Sequence, residues 1–176
     1  NNPFPYGDRE GMIRAEDGST YSQVHEKFHP RLADLFLGLG YSNVILVDIA
    51  TGDIIYSARK YISFATSLSD GPFSHGNLAA LFRSFQQLPD PGRVEIADFQ
   101  RHRARRGVPT AFIGTPLFSD GQPFALLVLE LPVSKIDRIM TGDRQWKRDG
   151  LGRTGEVYLV GSDHLMRSNS RLLIED

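Results

Sequence analysis

Residues His25-Glu26-Lys27-Phe28-His29 match H-E-x-x-H, where two helical histidines one turn apart bind zinc and the glutamate activates water. Pro30 follows at once and disfavours helical geometry at His29. No G-x-x-H and no helical carboxylate further on offers a third ligand. Phe28 continues an apolar stripe, which leaves the histidines on a solvated or partner-facing surface. A zinc peptidase with Glu26 as base is thus the minor reading. Gly150, Gly152 and Gly155 spell G-x-G-x-x-G, but a dinucleotide site needs a strand before it and a helix after it. Here a charged link precedes and the apolar run Glu156 to Val160 follows, so the segment reads as a flexible turn. Arg101-His102-Arg103-Ala104-Arg105-Arg106 could grip phosphate or a lipid headgroup. It lacks interleaved aromatics, and a solvated hairpin loop is the expected account. Ser63, Ser67, Ser69 and Ser74 have no G-x-S-x-G context, and His75, His102 and His164 form no set by spacing.

A quieter constellation comes from strand alternation. In RVEIADF, Val94, Ile96 and Asp98 share a face, so a carboxylate points where two aliphatic side chains point. In DIIYSARK, Ile54, Tyr56, Ala58 and Lys60 share a face. A carboxylate on a core-facing stripe must be paired, or must line a wet cavity. Two expectations stay open. One is a buried Lys60–Asp98 or Tyr56–Asp98 bond that fixes the sheet. The other is a small-molecule pocket between sheet and the 61–76 loop, walled by Tyr56, Lys60, Phe64 and Asp98.

The elements that must position these residues follow from periodicity. Residues 1–18 are a loose Pro- and Gly-rich lead-in. Thr20 and Gln23 make a capping box, and Tyr21, Val24, Phe28, Leu32, Leu35, Phe36 and Leu39 form the apolar stripe of a long helix. That helix is expected to bend or break at Pro30 and to close at Gly38 and Gly40. A hairpin turning at Thr51-Gly52-Asp53 follows, then a helix on Leu78, Leu81, Phe82 and Phe85 stopped by Pro89 and Pro91. Strands are expected near 93–99, 109–117 and 123–131, the last two joined at Ser119-Asp120-Gly121. A short helix from Ser134 to Met140 leads to a charged link. The order α-ββ-α-βββ-α-ββ makes an α+β fold: a five-stranded antiparallel sheet with helices mainly on one face. Its connections are too short for parallel crossovers.

The 176 residues suffice for one well-buried core with length to spare. Lys and Arg number 20 against 21 Asp and Glu, which gives no global pull toward nucleic acid. The absence of cysteine excludes disulfides and thiol catalysis, and no motif requires a cofactor. No apolar run reaches the roughly 20 residues of a bilayer span. The chain opens on Asn1 rather than Met, so a processed or excised piece is expected.

NVILVDIATGDIIYSARK and EVYLVGSDHLMRSNSR echo one another, with Val47 and Val160 at equivalent points. Each is an apolar strand, a Gly/Asp turn, and a second strand running into Ser and a basic residue. Together with ADFQRHRARRGVPTAFIGTPLF and GLGRTGEVYLVGSDHLMRSNSR, residues 21–176 resemble extracytoplasmic double Cache (PAS-like) sensor domains of bacterial membrane transducers. These precede adenylate or guanylate cyclases, sensor histidine kinases and chemotaxis outputs. The resemblance implies a ligand-sensing, non-enzymatic domain on the periplasmic face of the inner membrane. It also implies a homodimer through the N-terminal helix, flanking membrane anchors and a small-molecule ligand. The expected organisation is a lead-in at 1–18, a membrane-distal unit at 19–145, and at 146–176 a linker with the opening hairpin of a second unit. The amino-acid signature of some such sensors, a Tyr then Arg-x-Trp-Tyr with a later Asp, is missing, so no ligand contact transfers from it. A structural dimerisation module without a ligand is the alternative.

Overall fold

The computed structural model describes residues 3–5, 8–87 and 89–175. Residues 1, 2, 6 and 7 of the expected lead-in lie outside the described residues. By packing, the chain divides into a first unit, Asn1–Leu131, and a second, Pro132–Asp176.

In the first unit, α1 spans Thr20–Gly38 and runs through Pro30 without interruption. Its cap is Ser19, one residue before the expected Thr20: the Ser22 amide donates to the Ser19 hydroxyl at 3.1 Å. At the other end the Tyr41 amide donates to Phe36 and the Gly40 amide to Leu37, a Schellman closure with Gly40 at φ 80°. Strands β1 (Asn43–Asp48) and β2 (Ile54–Ser57) form the first hairpin. Helix α2 (Asn77–Gln87) precedes β3 (Glu95–His102), β4 (Val108–Ser119) and β5 (Gln122–Leu131). All pairings are antiparallel, in the order β2-β1-β5-β4-β3. Asp120 and Gly121 both take positive φ, as a tight primed turn between β4 and β5 requires.

The two helices cover opposite faces of the sheet, which corrects the expectation of helices mainly on one. Alternation along β1 sends Ile45 and Val47 into a cluster with Leu78, Leu81, Phe82 and Phe85 of α2. It sends Val44 the other way, against Ala33 of α1. A bulge adds to the correction. Leu46 pairs with Tyr56 and Val47 with Ile54, so Ile55 has no β1 partner and strict alternation fails in β2. Ile54 therefore joins the α2 side, whereas Tyr56 and Ala58 join the α1 side.

The second unit holds α3 (Val133–Met140) and a five-residue helix, α4 (Arg171–Glu175). The expected hairpin appears as one bridge, Val160↔Met166, braced by Arg167, whose guanidinium donates to Asp163 at 2.8 Å. Val157, Tyr158, Leu159, Val160, Leu165 and Met166 are exposed. Two strands without a third, and without a covered face, gain too little burial to pair along their length.

Candidate functional site

The buried side of α1 is polar. Ser22, His25, His29 and Ala33 are its buried residues, and His29 is only 1% exposed. His29 Nε2 lies 2.6 Å from the Glu10 carbonyl, which can only accept, so Nε2 carries the proton. Nδ1 then accepts from the Tyr56 hydroxyl at 2.8 Å. His25 Nδ1 donates in the same way to the Ile13 carbonyl at 2.6 Å. His25 Nε2 is left buried, a bare acceptor without a partner among the described residues. The two rings stack with centroids 4.3 Å apart. Burial, then the Lys60 ammonium, hold His29 down at about 4, so both its nitrogens are committed to neutral hydrogen bonds.

Next to this pair lies a cavity of about 560 Å³. The lead-in supplies Met12, Ala15 and Asp17; α1 supplies Tyr21, Ser22 and His25; the β2 edge supplies Asp53, Ile54 and Ile55; the turn after β2 supplies Lys60, Phe64 and Ala65. The lead-in packs rather than hanging loose, through an Arg59–Glu10 ion pair and Arg14–Glu26 at 3.0 Å. Tyr21 and Phe64 rings stand 6.0 Å apart, and burial raises the Tyr21 phenol to about 12.

Both charge signs meet here. Burial lowers the Lys60 ammonium to about 8, opposed by Glu10, and its Nζ lies 3.4 Å from the Ala58 carbonyl. Asp17 is held at about 2 by the Ser19 amide and by the Ser22 and Ser19 hydroxyls. Lys60 and Ala65 adopt left-handed backbone, at φ 47° and 61°. That conformation costs a side-chain-bearing residue about 1–2 kcal/mol.

The structure brings together three of the four residues expected to wall a pocket. Lys60 and Phe64 line the cavity, and Tyr56 stands behind His25 with ring centroids 5.9 Å apart. Asp98 is elsewhere. It lies on β3, at the opposite edge of the sheet from β2, and on a face no helix covers, where Ile96 is 68% exposed. Its carboxylate accepts from the Phe99 amide at 2.7 Å. The expected Lys60–Asp98 and Tyr56–Asp98 bonds are thus not formed, and Tyr56 bonds His29 instead. The cavity also opens on the α1 side rather than between the sheet and the whole 61–76 loop.

The H-E-x-x-H reading is corrected by the same geometry. Both His29 nitrogens are occupied, and Glu26 is exposed and ion-paired with Arg14. Among the described residues no group of three or more His, Cys, Asp or Glu is placed to hold a metal ion. Nor is any described helix long and apolar enough to cross a membrane.

No protein-family model matches the chain, and no curated protein does. Solved structures do match in fold. The ligand-binding domain of the Pseudomonas aeruginosa PAO1 amino-acid chemoreceptor PctB, in complex with L-Gln, aligns with a TM-score of 0.54 at 17% identity. That alignment covers 91% of this chain and 57% of that one. The ligand-binding domain of the Pseudomonas fluorescens chemoreceptor CtaA aligns with a TM-score of 0.50 in complexes with L-serine (12% identity) and L-isoleucine (11%). Those alignments cover 95% and 93% of this chain, and 62% and 58% of those domains. The fold is Cache-like. The chain spans about 60% of the length of the solved domains it matches. Within this Cache-like fold, the cavity residues that sequence reasoning did not assign to a pocket include Asp17, Tyr21, Ser22, His25 and Asp53. Their signal was present as a Ser- and His-bearing stripe at positions 22, 25 and 29, one turn apart and beside the apolar one.

Proposed function

We propose that this chain is the ligand-sensing part of a membrane-bound signal transducer on the extracytoplasmic, periplasmic side of the inner membrane. It binds a small molecule in the α1 cavity and passes a conformational signal to a cyclase, kinase or chemotaxis output, with no catalysis of its own. The observation that carries this reading is a cavity of about 560 Å³ lined by an ammonium and two carboxylates, Lys60 against Asp17 and Asp53. It occurs on a fold whose solved relatives hold L-Gln, L-serine and L-isoleucine. The ligand class is a small zwitterion, its acid group on Lys60 and its amine on Asp17 or Asp53. Phe64 and Tyr21 enclose its carbon, His25 Nε2 accepts a donor from it, and Tyr56 holds the neighbouring His29.

Transmission runs through α1. Its inner face lines the cavity, and its outer face exposes Val24, Phe28 and Leu35 at heptad-like spacing. That stripe is the homodimer contact. A ligand shifts the pair only if it binds the two arrangements unequally. The exposed stripe also supports the second reading, a dimerisation module that binds no ligand.

Melting-temperature screening of the chain against amino acids and other small metabolites separates the two. A ligand at about 100 times its Kd stabilises by about 2.7 kcal/mol, and Lys60→Met removes that shift without unfolding the chain. If no compound in a broad panel shifts the transition, and full-length output is unchanged across it, sensing here is wrong. The dimer alone would then remain, read by sedimentation of Phe28→Glu.

A further inference from the structure

A second cavity, of about 170 Å³, lies where α2 begins and β3 ends. The basic run expected to be a solvated loop divides here. A 3-10 turn, Arg103–Arg105, buries Ala104 and turns Arg105 inward onto Glu130 at 2.8 Å. Glu130 is 0% exposed, and burial raises its carboxyl to about 7 against the pull of Arg105. With Arg105 anchored, Arg101 and Arg103 face the other way and line the cavity with His75, Asn77, Gln100 and His102. No carboxylate is among its lining residues. Neither exposed guanidinium has an ion-pair partner among the described residues.

Two independent features aim at the space. The amino end of the eleven-residue α2 opens on it through Asn77 and Leu78, where the helix dipole favours negative charge, the Leu78 amide itself donating to the Asn77 side-chain oxygen at 3.0 Å. His102 is 8% exposed, lines the cavity and has only a ring contact, edge-on to Phe112 at 5.2 Å. Its imidazole has no hydrogen bond among the described residues. A ring nitrogen that opens on a cavity rather than on a protein partner is free to donate to a guest.

We propose that this cavity is a binding site for a small oxyanion, a phosphate or sulfate group, held by Arg101, Arg103, His102 and the α2 amino end. The guanidiniums give charge-assisted hydrogen bonds, His102 gives one N–H, and the volume admits the group but not a large molecule. Inorganic phosphate is the probe, titrated at fixed ionic strength and followed by NMR of the His102 ring and α2 amides. The expected result is saturable shifts with a Kd below about 10 mM. The His102 pKa, about 4 through burial and then Arg105, should rise as phosphate binds. Arg101→Ala/Arg103→Ala should weaken binding at least about tenfold, with melting unchanged because both side chains are exposed and unpaired. Phosphatidylglycerol vesicles distinguish a headgroup from a free anion. Association competed away by inorganic phosphate supports the site on a lipid, and no association supports it for the free ion. Three outcomes overturn the proposal: no saturable shift, shifts that survive the double variant, or vesicle association that phosphate does not compete.

Discussion

Helices α1 and α2 make opposite use of their faces. α2 buries Leu78, Leu81, Phe82 and Phe85 against the sheet, as an amphipathic helix on a core should. α1 turns Ser22, His25 and His29 inward and leaves Val24, Phe28 and Leu35 outside, with Phe28 49% exposed. One helix is a strut, its position set by carbon packed at crystal-like density. The other packs carbon through Leu32, Ala33, Phe36 and Leu37 in its second half only, and its first half is seated by a few hydrogen bonds beside a cavity. Carbon packing has one good arrangement, whereas a hydrogen-bonded seat next to open space can have two. A difference in local stability is what a transmitting element requires.

The largest test of that contrast is a pair of truncations. Phe82→Ala should cost about 3–5 kcal/mol in denaturant unfolding, since it empties a fully buried site. Phe28→Ala, one helix earlier, should cost no more than about 0.5 kcal/mol in the monomer. Equal costs would break the comparison. Tyr56→Phe comes next. It removes the donor to His29 Nδ1 and leaves that acceptor buried, which should cost about 1–3 kcal/mol.

The pH dependence of stability sharpens the contrast further. His29 titrates at about 4 when folded and near its ordinary 6.5 when unfolded, so the unfolded chain binds more protons between those values. Stability should therefore fall as pH drops from 6.5 toward 4, and His102 acts in the same window and direction. Glu130 acts oppositely: raised to about 7 from 4.5, it costs stability as pH rises through that range. Denaturant midpoints across pH 4–7 should thus keep a clear acid-side fall in Glu130→Gln and a shallower one in His29→Gln. The smallest expected effect is Ala65→Gly, which relieves left-handed strain and should add about 0.5–1 kcal/mol. A loss instead would mean that the Ala65 methyl packs usefully.

Much of the sheet was legible in advance. Turn residues at Gly52 and Gly121, and aliphatic runs of the right length, gave five strands within a few residues of their ends. The site was legible in part. Lys60 and Phe64 fall in the cavity because the turn after β2 is short and must lie beside it. Asp98 misled because alternation says which residues share a face but not whether anything covers it. On β3, an edge strand, nothing among the described residues does on that side. The bulge at Ile55 was illegible for a related reason: an extra residue in a strand leaves no mark in a run of aliphatics.

By itself the sequence determined the elements of the first unit, their antiparallel order and the resemblance to Cache sensors. These rest on local physics: capping, turn chemistry, and a period of two or of 3.6. Only the tertiary structure decided which stripe of α1 faces in. Both its stripes were readable, and apolar-in was the natural expectation. The Glu10 and Ile13 carbonyls and the Tyr56 hydroxyl supply the partners that let two histidines be buried. Those partners come from distant points in the chain, and only folding brings them to the helix. The cavity beside them exists for the same reason, because a helix end seated on hydrogen bonds need not close every gap with carbon.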